Sequence, residues 1–185
     1  MATGPGWQTM VGRATRVAQI AVSAMAAGAL TFLVVALWAR WGRPPAAGHP
    51  ILTWIAVALA VAMTVVRLTV PPMMVAHRRA AIARGQFRLQ PGQQSPQFRQ
   101  FLEKTGDAGL LWLVYISKLF VAGVPLETAA FVAVAAYLVE GNPWALGAAV
   151  VLIASLAMMI PQRETVVAWI EDQLRLVEQE RQLPG

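Results

Sequence analysis

VAQIAVSAMAAGALTFLVVALWA, Val17–Ala39, decides the fold: it runs for 23 residues without a charged side chain. A helix of that length rises about 35 Å, enough to cross a hydrocarbon core of about 30 Å. Two more stretches have the same character, Pro44–Val66 with 23 residues and Gly141–Gln162 with 22. A fourth, Leu119–Val139, carries one charge, Glu127. The pattern predicts four membrane helices over 17–39, 51–70, 117–139 and 144–160. Pro50 and Pro143 precede the second and fourth, where a missing N–H is harmless. Pro71-Pro72 and Pro161 follow them and predict a stop or a kink.

Composition points the same way. Of 185 residues 57% are hydrophobic and 13% charged, against about 25% charged in a soluble domain. A disordered tail, a collagen-like chain and an ordinary soluble enzyme are excluded. The absence of cysteine excludes disulfides, thiolate metal sites and a cysteine nucleophile. The expected fold is all-α: an integral membrane four-helix bundle followed by an amphipathic tail helix. Arg13 and Arg16 ahead of the first span resemble a leader's basic region, but the apolar run is too long for a cleaved leader and reads as an anchor.

Basic residues orient the spans. Thirteen of the fifteen fall on one side: Arg13 and Arg16; Arg67, Arg78, Arg79, Arg84, Arg88, Arg99, Lys104 and Lys118; Arg163, Arg175 and Arg181. The opposite loops hold Arg40 and Arg43. The positive-inside rule then puts both termini in the cytoplasm. The predicted order is a cytoplasmic N-terminus (1–16), a transmembrane hairpin (17–70), a basic cytoplasmic segment and loop (71–107), a second hairpin (108–160) and a cytoplasmic amphipathic helix (161–185). Trp38, Trp41, Trp54 and Trp144 form an aromatic belt at one interface, Trp112 and Trp169 at the other. The Ala- and Arg-rich composition suggests a bacterial inner membrane.

The two hairpins read as a tandem parallel repeat. Ala26-Ala-Gly-Ala-Leu-Thr-Phe32 aligns with Pro125-Leu-Glu-Thr-Ala-Ala-Phe131, which sets Trp38 against Tyr137 and Gly28 against Glu127. After Pro72 the sequence predicts a short basic helix capped by Gly85. Val166, Ile170, Leu174 and Val177 predict the buried stripe of the tail helix.

Glu127 is the candidate functional carboxylate, because a charge inside a span costs several kcal/mol by insertion scales unless it is neutral or paired. It is either a proton or ion carrier, with Pro125 loosening the helix beside it, or the partner of Arg67 in an intramembrane ion pair. Arg78, Arg79, Arg84 and Arg88 are candidates for anionic lipid headgroups, or serve only to hold their segment inside. His49 and His77 fall on opposite sides of the membrane, so no metal site is expected. With no Gly-rich phosphate loop, G-x-S-x-G or H-E-x-x-H, the chain is expected to be non-catalytic and to need no cofactor.

Val124-Pro-Leu-Glu127-Thr-Ala-Ala-Phe131-Val-Ala-Val-Ala-Ala-Tyr137-Leu138, with the alternating Ala56, Ala58, Ala60 and Ala62 before it, resembles the helices of ring-forming proteolipid subunits of rotary ATP synthases. The resemblance covers residues 51–139 and implies that Glu127 is an ion-binding carboxylate. The segment from Pro71 to Asp107 is longer than that family's tight loop. The reading that uses the whole chain is an accessory or assembly subunit of a larger membrane complex. Its expected partners are the lipid bilayer and other membrane subunits or further copies of itself, with no nucleic acid.

Overall fold

The computed structural model describes residues 6–46, 48–87 and 96–182. Among these residues there are six helices and no strand: α1 (Trp7–Arg40), α2 (Ile51–Ala83), α3 (Pro96–Thr105), α4 (Asp107–Glu140), α5 (Pro143–Ala157) and α6 (Arg163–Gln182). Helices α1, α2 and α4 are long and apolar enough to cross a membrane. Their 33 or 34 residues rise about 50 Å, well beyond a hydrocarbon core. Helix α5 is apolar but has 15 residues, about 22 Å of rise. Val17, Ile20, Val61, Leu68 and Val151 are each at least 60% exposed. Apolar exposure on this scale suits lipid and not water, and the chain is an integral membrane protein.

Three helices are longer than the apolar runs. Helix α1 begins ten residues before Val17 and α4 ten before Ser117. Helix α2 continues through Pro71-Pro72 to Ala83 where a stop or kink is expected. The two prolines free the carbonyls of Arg67 and Leu68, yet good helix formers follow, and Val75 and Ile82 are buried. At Ala83 the expected glycine cap is present. Gly85 is left-handed (φ 67°), its N–H reaches the Ile82 carbonyl, and Gln86 N–H reaches the Ala81 carbonyl. This double bond is a Schellman closure.

The chain divides into two compact units, and α1, α2 and α4 contribute to both. One comprises Ile20–Pro71 and Leu119–Ile160. Its core is built from alanine: Ala26, Ala29 and Ala36 from α1, Ala129, Ala130, Ala133 and Ala136 from α4, Ala145 and Ala149 from α5. Small side chains let helix backbones approach closely, which drives association where no water is excluded. Phe32 and Phe131 pack on each other with ring centroids 5.6 Å apart.

The other unit comprises Met1–Gln19, Pro72–Lys118 and Pro161–Gly185. Trp7, Val11, Thr15 and Ala18 form the buried face of α1, and Leu111 and Val114 that of α4. In α6, Val166, Ile170 and Val177 of the expected stripe are buried, while Leu174 is half-buried. Polar contacts tie the same elements: Gln8 donates to Glu171 at 2.9 Å, Arg79 pairs with Glu180 at 2.8 Å and Arg181 with Asp107 at 2.9 Å.

Candidate functional site

Glu127 lies half-buried in α4, and Arg67 half-buried in α2. Among the described residues no hydrogen bond or ion pair joins these two candidates. The reason is azimuth. Thr53 of α2 meets Glu140 of α4, and counting equal rises from that contact brings Arg67 to the depth of Glu127. Arg67 stands fourteen positions from Thr53, within about 40° of its face; Glu127 stands thirteen from Glu140, about 140° around α4. The α4 face toward Thr53 is instead Leu126, Ala129, Ala133 and Ala136, all buried.

The carboxylate with a built environment is Glu140, which the sequence reading passed over. It accepts from Leu52 N–H at 2.7 Å, Thr53 N–H at 2.8 Å and Thr53 Oγ1 at 2.6 Å. Ile51 and Trp54 N–H bond to the His49 and Pro50 carbonyls. All four first-turn donors of α2 are thus satisfied, two of them by a residue far along the chain. The signal was present: α2 follows Pro50 with no Ser, Thr, Asp or Asn to cap it, so an acceptor must come from elsewhere. Next to Glu140, Gly141 is left-handed (φ 68°). The Arg40 guanidinium lies over its Cα and donates to the Pro44 carbonyl at 2.9 Å. A recess of about 430 Å³ adjoins this clasp, lined by Pro45, His49, Glu140 and Asn142 among others.

The four headgroup candidates separate. Arg79 is bound to Glu180 and reaches Gln173. Arg84 is exposed. Arg88 lies outside the described residues. Arg78 crosses to α4, where its Nη1 donates to Ser117 Oγ at 2.9 Å. Beside it Lys118 Nζ sits 5.8 Å from the Tyr115 ring centroid and 5.5 Å from that of Trp169. Among the described residues no three His, Asp or Glu side chains gather as a metal site would require.

A further candidate site is apolar. A groove of about 540 Å³ runs between α2 and α5. Its walls are Val57, Ala60, Val61, Thr64 and Val65 on α2 and Trp144, Gly147, Ala148, Val151 and Leu152 on α5. Both sets follow i, i+3, i+4, i+7, i+8, so each is one face of one helix. Neighbouring stripes, Ala56 on α2 and Ala145, Ala149 and Leu156 on α5, are turned into the core. Thr64 Oγ1 donates to its own helix at the Ala60 carbonyl. A side chain at Gly147 would meet nothing within 4 Å. Of the three long helices α2 is the least packed: 11% of its most apolar stretch is buried, against 28% in α1 and 50% in α4.

No protein family, curated protein or solved structure matches the chain.

Proposed function

We propose that the chain is a non-catalytic accessory or assembly subunit of a membrane complex, and that the α2–α5 groove receives a transmembrane helix of a partner subunit. The groove carries this reading. Lateral association in a bilayer depends on close packing over small residues, and Ala60, Gly147 and Ala148 supply them between the walls of Val57, Val61, Val65 and Val151. The fitting partner face is apolar and small, because the groove walls are apolar and the Thr64 hydroxyl is bonded to its own helix.

We infer four spans with both termini and the middle segment in the cytoplasm, as two hairpins at 17–70 and 108–160. Thirteen of the fifteen basic residues lie in or beside these segments, which supports the cytoplasmic side for them. A bacterial inner membrane remains the setting that the composition suggests. The Phe32–Phe131 contact supports the tandem repeat, since equivalent positions of a two-fold repeat meet at its axis.

The test uses a photoreactive amino acid at Val61 or Val151, each at least 60% exposed, in native membranes. Both positions are expected to give one discrete adduct of the same partner, while lipid-facing Val34 gives none. No adduct, or the same adducts from Val34, overturns the docking face.

A second reading has one observation in its favour. Glu127 has no ion-pair partner among the described residues, which suits a proton carrier and the proteolipid resemblance. It requires reaction with a hydrophobic carbodiimide at Glu127, as taken up below.

A further inference from the structure

Ion pairing in the unit that contains α3 and α6 is selective. Arg79 is neutralised by Glu180, Arg181 by Asp107, and Arg175 stands 3.9 Å from Asp172. Among the described residues of that unit, two half-buried cations have no carboxylate: Arg78 and Lys118. They occupy successive positions along α4, Arg78 through its bond to Ser117 and Lys118 as the next residue. Arg78 docks on Ser117, whose own proton goes to the Leu113 carbonyl, so the hydroxyl fixes the guanidinium as an acceptor. Lys118 follows at the next position, held over Tyr115 and Trp169. Those two rings lean on each other with centroids 5.2 Å apart. Aromatic faces within about 6 Å stabilise an ammonium without neutralising it. The pair therefore keeps two net positive charges, and Arg78 has most of its five N–H donors unspent.

We propose that Arg78 and Lys118, framed by Ser117, Tyr115 and Trp169, form a binding site for a phosphate group. The guanidinium suits bidentate contact with phosphate oxygens, and the ammonium supplies a second point charge. The place in the sequence favours the phosphate of an anionic phospholipid. Lys118 is the last charge before the apolar run Leu119–Val139. Tyrosine and tryptophan are the residues of the headgroup level, and basic pockets between helices on the cytoplasmic side take anionic headgroups. The site differs from the simple basic cluster 78–88: it includes Lys118 and excludes Arg79.

The experiment measures phosphatidylglycerol and phosphatidylcholine binding to the purified full chain in mild detergent, by native mass spectrometry, with inorganic phosphate as competitor. Phosphatidylglycerol should bind preferentially. Arg78→Gln and Lys118→Gln should each weaken it about fivefold, and the double variant about 25-fold, at the weight typical of one basic side chain near a headgroup. Lys118→Arg should restore most of the binding, and exposed Arg84→Gln should leave it unchanged. Loss of phosphatidylglycerol on adding inorganic phosphate assigns the site to a free phosphate; its persistence assigns it to the lipid. Either supports the site. Equal losses for Arg84→Gln and Arg78→Gln would indicate diffuse charge attraction and overturn it, as would wild-type binding by the double variant. Should Lys118→Gln lose its helical circular dichroism, Arg78→Gln decides alone, since among the described residues the hydrogen bond from Arg78 to α4 is the one to the Ser117 hydroxyl.

Discussion

Gly147 is the position where folding and docking separate most cleanly. It lies in the interior of α5, where glycine costs roughly 0.5–1 kcal/mol relative to alanine. A Cβ there meets no heavy atom within 4 Å. Gly147→Ala should therefore stabilise the purified chain by up to about 1 kcal/mol, and Gly147→Leu by somewhat less. The partner helix experiences the opposite. A leucine beside Ala148 fills the groove floor, and overpacking of a fitted contact typically costs about 1–3 kcal/mol, or about five- to 150-fold in affinity. Gly123 is the control within the same unit. A Cβ there would lie 3.5 Å from Met25 Cε and 3.9 Å from Met159 Cε, so Gly123→Leu overpacks the fold itself. Two measurements suffice: the unfolding midpoint in detergent, and the yield of the partner adduct from Val61 in native membranes. Gly147→Leu should hold the midpoint and lose the adduct, whereas Gly123→Leu should lower the midpoint. A complex that survives Gly147→Leu at wild-type yield refutes the docking face; a midpoint lowered by Gly147→Ala refutes the open groove.

Three further outcomes are expected. Gly141→Ala should be destabilised more than Gly42→Ala. Both glycines are left-handed, a strain of about 1–2 kcal/mol for alanine, but only at Gly141 must the new methyl displace the Arg40 guanidinium; equal midpoints would show that Arg40 moves aside freely. Glu127→Gln and Arg67→Met should each shift stability by less than about 0.5 kcal/mol and show no coupling, because no ion pair joins them. A deficit in both that the double variant repairs would restore the pair, and a carbodiimide adduct on wild type absent from Glu127→Gln would favour proton carriage. With single cysteines in this cysteine-free chain, an impermeant thiol reagent on intact cells should label Gly48→Cys and spare Gln86→Cys. The reverse pattern would invert the topology.

Length, apolarity and caps were legible in the sequence because each is a local property. The apolar runs at 17–39, 44–66 and 119–139 lie largely within long helices and that at 141–162 holds the 15-residue α5, Gly85 closes α2, and Val166, Ile170 and Val177 are buried. Proline was read less well. A Pro-Pro step tells of two missing donors, and only the residues after it tell whether the helix resumes; Val75 and Ile82, buried seven positions apart, are what carried α2 onward. Whether Glu127 meets Arg67 was not legible in the sequence for a different reason. Position in a span gives depth, which the two residues share, but not the angle around the helix axis, and ion pairing needs both. Glu140 escaped notice because its role belongs to another helix: no local pattern around it signals a cap for Leu52 and Thr53. The Arg78–Ser117 and Lys118–Trp169 contacts are likewise products of tertiary approach.

These features combine in α2. At its start, the Glu140 carboxylate holds Leu52 and Thr53. Near its end, Arg78 holds Ser117 and Arg79 holds Glu180. Between these ends only Ala56 among its alanines is fully buried, while Ala58 and Ala62 face outward and Ala60 lines the groove. Alanine packing is what binds α1, α4 and α5 to one another, so a helix that turns most of its alanines away from its own chain is held chiefly by its polar ends. In a bilayer, where apolar side chains gain little by leaving lipid, such a surface acquires packing energy only from another small-residue helix. That asymmetry, polar contacts at both ends and an unfilled small-residue face between them, is the physical basis for proposing α2 as a docking helix.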